Sequence, residues 1–154
     1  MTPVAILLVE DDEILLTVLK TSLEKFFCTV STAIDADKAI QQIDTTKFDL
    51  VLTDLQLGRT SGLEVAQKAK SLLPQALIIM MSGYNDPERI QAAYHCGADE
   101  YLVKPFTIIS LLKRIRRHGL RLRPQTTANL AIRAKGRASL CQENLHPGND
   151  FLYT

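Results

Sequence analysis

Short β-branched and aliphatic runs alternate along the chain with longer stretches whose apolar residues recur every three or four positions, the pattern of strands interleaved with amphipathic helices. The runs Val4–Val9, Cys28–Ala33, Leu50–Thr53, Leu77–Met81 and Tyr101–Val103 predict five strands. Between them, Leu15, Val18, Leu19, Ser22, Leu23 and Phe26 share one helix face, Ala36, Ala39, Ile40 and Ile43 a second, and Ile90, Ala93, Tyr94 and Gly97 a third. Asn85 or Asp86 suits the cap of a helix with Pro87 in its first turn, and Thr107 the cap of one starting at Ile108. That last helix is expected to bury Ile108, Leu111, Leu112 and Ile115 and to end near His118, with Gly119 in the left-handed position beyond it. A strand as continuously apolar as Ala76–Met81 belongs to a parallel sheet covered on both faces, and five strand-helix units are too few for an eight-stranded barrel. The expected fold is α/β: an open, doubly wound, five-stranded parallel sheet with helices on both faces.

In such sheets ligands bind beyond the carboxyl ends of the strands. The residues standing there are Glu10, Asp11 and Asp12 after the first strand, Asp54 after the third, Ser82 after the fourth, and Lys104 with Pro105 after the fifth. Taken singly, each has an ordinary reading, as a solvated loop, a helix N-terminus or a turn. Their joint occurrence at consecutive strand ends points to chemistry. Carboxylates gathered at one place repel each other, and a hard divalent cation with oxygen ligands makes the arrangement tolerable, so Asp11, Asp12 and Asp54 fit Mg2+, which takes one or two protein carboxylates plus a phosphoryl oxygen. Lys104 can pair with Asp54 at rest and with a phosphoryl oxygen once one arrives, and the Ser82 hydroxyl can donate to another. An anionic carboxylate nucleophile needs no further base.

Val9-Glu10-Asp11-Asp12, the Asp54 that follows Asp49–Thr53, Gly62, Ser82-Gly83 and Tyr101-Leu102-Val103-Lys104-Pro105-Phe106 resemble the receiver domain of two-component response regulators, over roughly residues 3–120. The resemblance implies a flavodoxin-like strand order 2-1-3-4-5. It implies that Asp54 is the phosphoacceptor, charged by a sensor histidine kinase or phosphotransfer protein, and that Asp11, Asp12, Asp54 and the Gln56 backbone carbonyl carry Mg2+. By the same resemblance, Lys104 and Ser82 read the phosphoryl group and Tyr101 is the switch aromatic. The changing surface is then helix 4, strand 5 and helix 5, also the expected route to a homodimer. Such a domain is not a conventional enzyme, although self-phosphorylation from phosphodonors is expected. Gln56 and Tyr84 occupy positions that tune loss of the phosphoryl group, and a bulky Tyr84 predicts shielding and slow self-dephosphorylation. Gly58 stands where the family often has proline, which predicts a more flexible loop.

Composition sharpens this picture at one point. The chain has 154 residues, 46% hydrophobic and 23% charged, enough for one ordinary core and a remainder. Its net charge of +1 divides unevenly: residues 1–112 hold nine Lys and Arg against fifteen Asp and Glu, residues 113–154 nine against two. Lys113, Arg114, Arg116, Arg117, Arg121 and Arg123 form a basic run, read first as a solvated face, and no acid occurs between Glu100 and Glu143. Residues 121–154 are expected to be a basic extension too short for a helix-turn-helix effector, with a helix over Thr126–Leu140 and a turn at His146–Asn149. Nucleic acid or an acidic partner bound through this tail is the alternative output; the downstream protein itself is not legible. The run Val4–Val9 is too short for a membrane span or a signal core, and Cys28, Cys96 and Cys141 form no paired spacing, so a cytoplasmic location is expected. His95, His118 and His146 lack metal-site spacing. A haloacid-dehalogenase-type phosphatase would want Asp-x-Asp after the first strand, where this chain has Asp11-Asp12-Glu13, and a Rossmann or P-loop binder a glycine-rich turn.

Overall fold

The structure, a computed structural model, describes residues 2–126. Apart from Thr126 itself, the helix expected over Thr126–Leu140, the turn at His146–Asn149 and Cys141 lie outside the described residues. Five parallel strands, β1 (Val4–Val9), β2 (Cys28–Ala33), β3 (Leu50–Asp54), β4 (Leu77–Ser82) and β5 (Glu100–Val103), form one sheet in the order β2-β1-β3-β4-β5. The connecting helices are α1 (Glu13–Leu23), α2 (Ala36–Thr45), α3 (Gly62–Leu72), α4 (Pro87–His95) and α5 (Ile108–Arg117). The two-residue period of a strand splits the core into two layers. Leu7, Val9, Val51, Ile78 and Met80 face Ile43, Val65, Ala69 and Ala93 of α2, α3 and α4. Ile6, Leu8, Leu52, Ile79 and Met81 face Leu16, Leu19 and Leu23 of α1 and Leu111 and Ile115 of α5. Among the described residues no helix is long and apolar enough to cross a membrane.

Asp86 caps α4, accepting from the Arg89 amide, and Thr107 caps α5, accepting from the Ser110 amide. Gly119 follows α5 with φ +85°. Three strands run one residue beyond their apolar runs, taking in Asp54 and Ser82 at the end and Glu100 at the start, because ladder hydrogen bonds are made by the backbone and do not stop at the limits of the apolar side chains. Two helix faces differ from expectation. Val18 is 54% exposed and Tyr94 46%, whereas Leu16, absent from the expected stripe, is buried. Helix α1 carries more apolar residues than one face can bury, and the sheet takes Leu16, Leu19 and Leu23, spaced three and four apart, leaving Ile14 and Val18 outside.

The chain does not leave the body at the end of α5. Leu120 and Leu122 pack against the layer between the sheet and α1 and α5, and the Phe27 amide donates to the Arg123 carbonyl at 2.7 Å, so the compact unit runs to Arg123.

Candidate functional site

Glu10, the first residue beyond β1, is only 1% exposed, its amide held by the Ala33 carbonyl at 3.1 Å. Asp54, the last residue of β3, is 8% exposed. Lys104, the first residue beyond β5, reaches both: its Nζ lies 2.7 Å from Glu10 Oε2 and 2.5 Å from Asp54 Oδ2. The other Asp54 oxygen, Oδ1, accepts from the Gln56 amide at 3.0 Å. Asp11 is exposed at the mouth, and one carboxylate oxygen from each of Glu10, Asp11 and Asp54 lies within 4.8 Å of the others. Burial pushes the Glu10 carboxyl up, an effect that the hydrogen bonds from Lys104 and the Asp12 amide only partly offset. Burial pulls Lys104 down, but its bonds to Asp54 and Glu10 outweigh this and hold it above its ordinary value, so the ammonium stays charged. One ammonium against three carboxylates leaves negative charge in excess. An all-oxygen donor set with that excess fits a hard divalent cation.

The structure substitutes Glu10 for Asp12 in this trio. Asp12 Oδ1 accepts from the amides of Ile14 at 2.9 Å and Leu15 at 3.1 Å, capping α1 and answering its orphan donors. The signal was present in the sequence, since an Asp directly before an amphipathic helix is a cap candidate. Ser82, fully buried, accepts from the Tyr84 amide at 3.1 Å through its Oγ, and its carbonyl accepts from the Lys104 amide at 2.7 Å. Tyr101 is buried, with its hydroxyl donating to the Tyr84 carbonyl at 2.7 Å. The Tyr84 ring is 46% exposed, and the Arg89 guanidinium carbon stands 4.1 Å from its centre.

The Gln56–Ser61 segment, where Gly58 stands, has backbone pairing of its own. Gln56–Leu57 and Thr60–Ser61 pair antiparallel as a small hairpin, with Gly58 at φ +62°, a conformation that proline cannot adopt. Gly62 then opens α3 directly against the end of β3: a Cβ at this position would fall 1.9 Å from the Asp54 carbonyl oxygen.

The site opens two ways. Beside Lys104 lies an apolar groove of about 520 Å³, lined by Leu15, Val18, Leu19, Pro105, Phe106 and Ile108. Beside Asp11 lies a polar cavity of about 570 Å³ that extends to Arg89.

The basic run is partly anchored rather than wholly solvated. Glu100 accepts from Arg114 Nη1 at 2.7 Å and Arg117 Nη2 at 2.8 Å, and its Oε1 lies 3.0 Å from His118 Nε2. Burial alone would raise the Glu100 carboxyl, but the bonds from His118 and Arg114 and the charge of Arg117 hold it below its ordinary value of 4.5. A depressed carboxylate contributes stability above its unfolded value and loses it as pH falls through the folded one. Glu100→Gln is therefore expected to cost about 1–2 kcal/mol at pH 7, with the difference from wild type closing below about pH 4.5. Urea unfolding of both proteins across that range checks it; a pH-independent difference would contradict the ionic account.

Residues 6–116 match the response regulator receiver domain family. The alkaline phosphatase synthesis transcriptional regulatory protein PhoP of Bacillus subtilis is 30% identical over 111 residues, which are 72% of this chain and 46% of PhoP. The chain spans about half the length of the curated relatives it matches. A CheY-like receiver domain protein from Methanospirillum hungatei superposes with a TM-score of 0.72 at 33% identity, covering 75% of this chain and 93% of that one. A response regulator from Burkholderia pseudomallei, solved with a phosphorylated aspartic acid, a calcium ion and citrate, superposes with a TM-score of 0.69 at 27% identity, covering 92% of this chain and 75% of the other.

Proposed function

Because the chain belongs to the family of response regulator receiver domains, signalling modules of two-component systems rather than conventional enzymes, we propose that Asp54 is its phosphoacceptor and that Glu10, Asp11 and Asp54 hold Mg2+. The observation that carries this reading is the Lys104 ammonium joining Glu10 and Asp54, with Asp11 facing them. The phosphorylated aspartic acid and calcium ion of the Burkholderia relative support it. When bound, Mg2+ supplies positive charge to the carboxylates and to the phosphoryl oxygens together. The Gln56 amide fixes the orientation of the Asp54 carboxylate, and Lys104 transfers its contact from Asp54 to a phosphoryl oxygen.

The donor is a phosphohistidine on a sensor histidine kinase or phosphotransfer protein. An Asp54 oxygen bonds to phosphorus as the phosphorus–nitrogen bond breaks, and the electron pair stays on the imidazole. The apolar groove next to Lys104, with Val18 and Ile14 exposed beside it, fits an apolar helix of that protein. The direct test is magnesium-dependent transfer of label from such a donor to Asp54 and to no other residue.

The Tyr84 backbone links reader to switch, since its amide donates to Ser82 Oγ and its carbonyl accepts from the Tyr101 hydroxyl. A Ser82 hydroxyl drawn to a phosphoryl group loosens the amide side of that residue, and Tyr101 responds at the carbonyl side. The result is a population shift at the α4-β5-α5 face, which a downstream protein or a second copy of the chain reads. The Tyr84 ring, held by Arg89 at the mouth, shields the aspartyl phosphate from water. Tyr84→Ala is expected to shorten the phosphoryl lifetime several-fold, followed as loss of label after donor removal; an equal lifetime rejects shielding. A second reading, in which the basic tail binds nucleic acid or an acidic partner, is favoured by the transcriptional role named for PhoP. It requires that a chain ending at Arg123 lose that binding.

A further inference from the structure

Two residues of the Gln56–Ser61 hairpin meet the carboxylate site directly. The Gln56 amide donates to Asp54 Oδ1 at 3.0 Å, and Gly58 comes so near Asp11 that a Cβ there would lie 3.9 Å from Asp11 Oδ2. The hairpin itself is slight, with Gln56 paired to Ser61 and Leu57 to Thr60. A ribbon that short is at best marginally stable alone, so its place over the site has to be fixed from outside. Leu57 is buried in the layer that also holds Ala36 and Ala39 of α2, but apolar packing of this kind carries no direction. The directional tie is the Thr60 hydroxyl. It donates to the Leu57 carbonyl across the turn at 2.9 Å and accepts from the Ala36 amide at 3.3 Å. Ala36 is the first residue of α2 and fully buried, and its amide is one that its own helix cannot satisfy, because the cap residue Asp35 accepts from Lys38 instead. One hydroxyl, giving its proton and filling a lone pair, thus closes the turn and fastens it to a separate helix.

We infer that Thr60 is a positioning residue for the metal site: a strut that holds the hairpin against α2 and so sets Gln56 and Gly58 in place beside Asp54 and Asp11. The inference rests on Glu10, Asp11 and Asp54 holding Mg2+. Thr60 makes its bonds to Leu57 and Ala36 and not to these carboxylates, so its effect runs through the hairpin backbone. Removing a group that orients metal ligands lowers metal affinity by about 10–100-fold, and a strut one step further out belongs at the low end. The coupling is reciprocal: whatever the Thr60–Ala36 bond adds to Mg2+ affinity, metal binding returns to that bond. The first turn of α2, a helix that contributes no residue to the site, is thereby made sensitive to what the carboxylates hold.

Mg2+ titration of the full chain, followed by amide NMR, tests this. Thr60→Val keeps the branched shape and removes the hydroxyl, and its Mg2+ dissociation constant is expected to rise about tenfold. Thr60→Ser restores the hydroxyl and is expected to bind within about twofold of wild type. A further measurement needs no variant. Saturating Mg2+ should slow hydrogen exchange at the wild-type Ala36 amide by the same factor of about ten, while the Lys38 amide, bonded to the cap of its own helix, changes by less than about twofold. This exchange measurement decides the matter even if Thr60→Val fails to fold. Affinity within about twofold of wild type in Thr60→Val, binding by Thr60→Ser as weak as that of Thr60→Val, or an Ala36 amide that responds no more than Lys38 overturns the assignment. If the wild type binds no Mg2+, the metal reading itself has failed, and the role of Thr60 with it.

Discussion

Exchange of Asp54 for Asn is expected to abolish phosphoryl labelling while leaving the protein folded. The substitution removes the proposed nucleophilic oxygen and one of three clustered negative charges, but little else. An Asn side-chain oxygen still accepts from the Gln56 amide, and Lys104 keeps its partner in Glu10. With two carboxylates left beside the Lys104 ammonium, the charge excess that opposes folding shrinks, so thermal stability should hold or rise. Incubation with a phosphohistidine donor, or with a small phosphodonor, should therefore label the wild type in the presence of Mg2+ and leave Asp54→Asn at background. Chelation of the metal should have the same effect on the wild type, since the donor set of Glu10, Asp11 and Asp54 would again face an anionic phosphoryl group with one ammonium alone. Label retained in Asp54→Asn would remove Asp54 from the mechanism.

The second large effect belongs to a residue without a side chain. In Gly62→Ala the new methyl carbon would sit 1.9 Å from the Asp54 carbonyl oxygen and 2.8 Å from its carbonyl carbon, with Thr53 Oγ1 at 3.0 Å. None of these can yield by a rotamer change, because two are backbone atoms of a central strand and Thr53 Oγ1 donates to the same Asp54 carbonyl at 3.0 Å. Either α3 withdraws from β3 or the end of β3 moves. Overpacking of this kind costs about 1–3 kcal/mol when side chains can adjust, so a loss near or above about 3 kcal/mol is expected in denaturant unfolding. Movement of the end of β3 should also slow labelling, because that strand end carries Asp54, the proposed phosphoacceptor. A variant with wild-type stability would show that the close approach of α3 is not obligatory.

Much of this was legible in the sequence because the relevant signals are local. The five apolar runs set the strands, and Asp86 with Pro87 and Thr107 with Ile108 set two helix starts through capping chemistry that depends on adjacent residues alone. What was not legible depended on orientation. Ile14, Leu15, Leu16, Val18 and Leu19 permit more than one inward face, and only the sheet decides that Leu16 goes in and Val18 stays out. The choice between Glu10 and Asp12 is of the same kind. Three acids in a row are interchangeable on paper, but one is buried beneath Lys104 and another is used up on helix amides. The basic run read as a solvated face for a related reason: Glu100, which pairs with Arg114 and Arg117, lies fourteen or more positions earlier and meets them only once α5 packs beside β5.

The segment after α5 gives the molecule two poles. Asp54 stands at the carboxyl end of β3, whereas the Arg123 carbonyl is tied to Phe27, immediately before β2 begins, at the opposite end of the sheet. Strands of five and six residues at about 3.3 Å per residue put roughly 20 Å of packed core between Asp54 and the Arg123 carbonyl. Leu120 and Leu122, seated in the layer shared by α1 and α5, make the last stretch of this body a passenger of those helices. Any displacement of α5 relative to the sheet is thereby carried to Leu120 and Leu122, at the pole opposite Asp54.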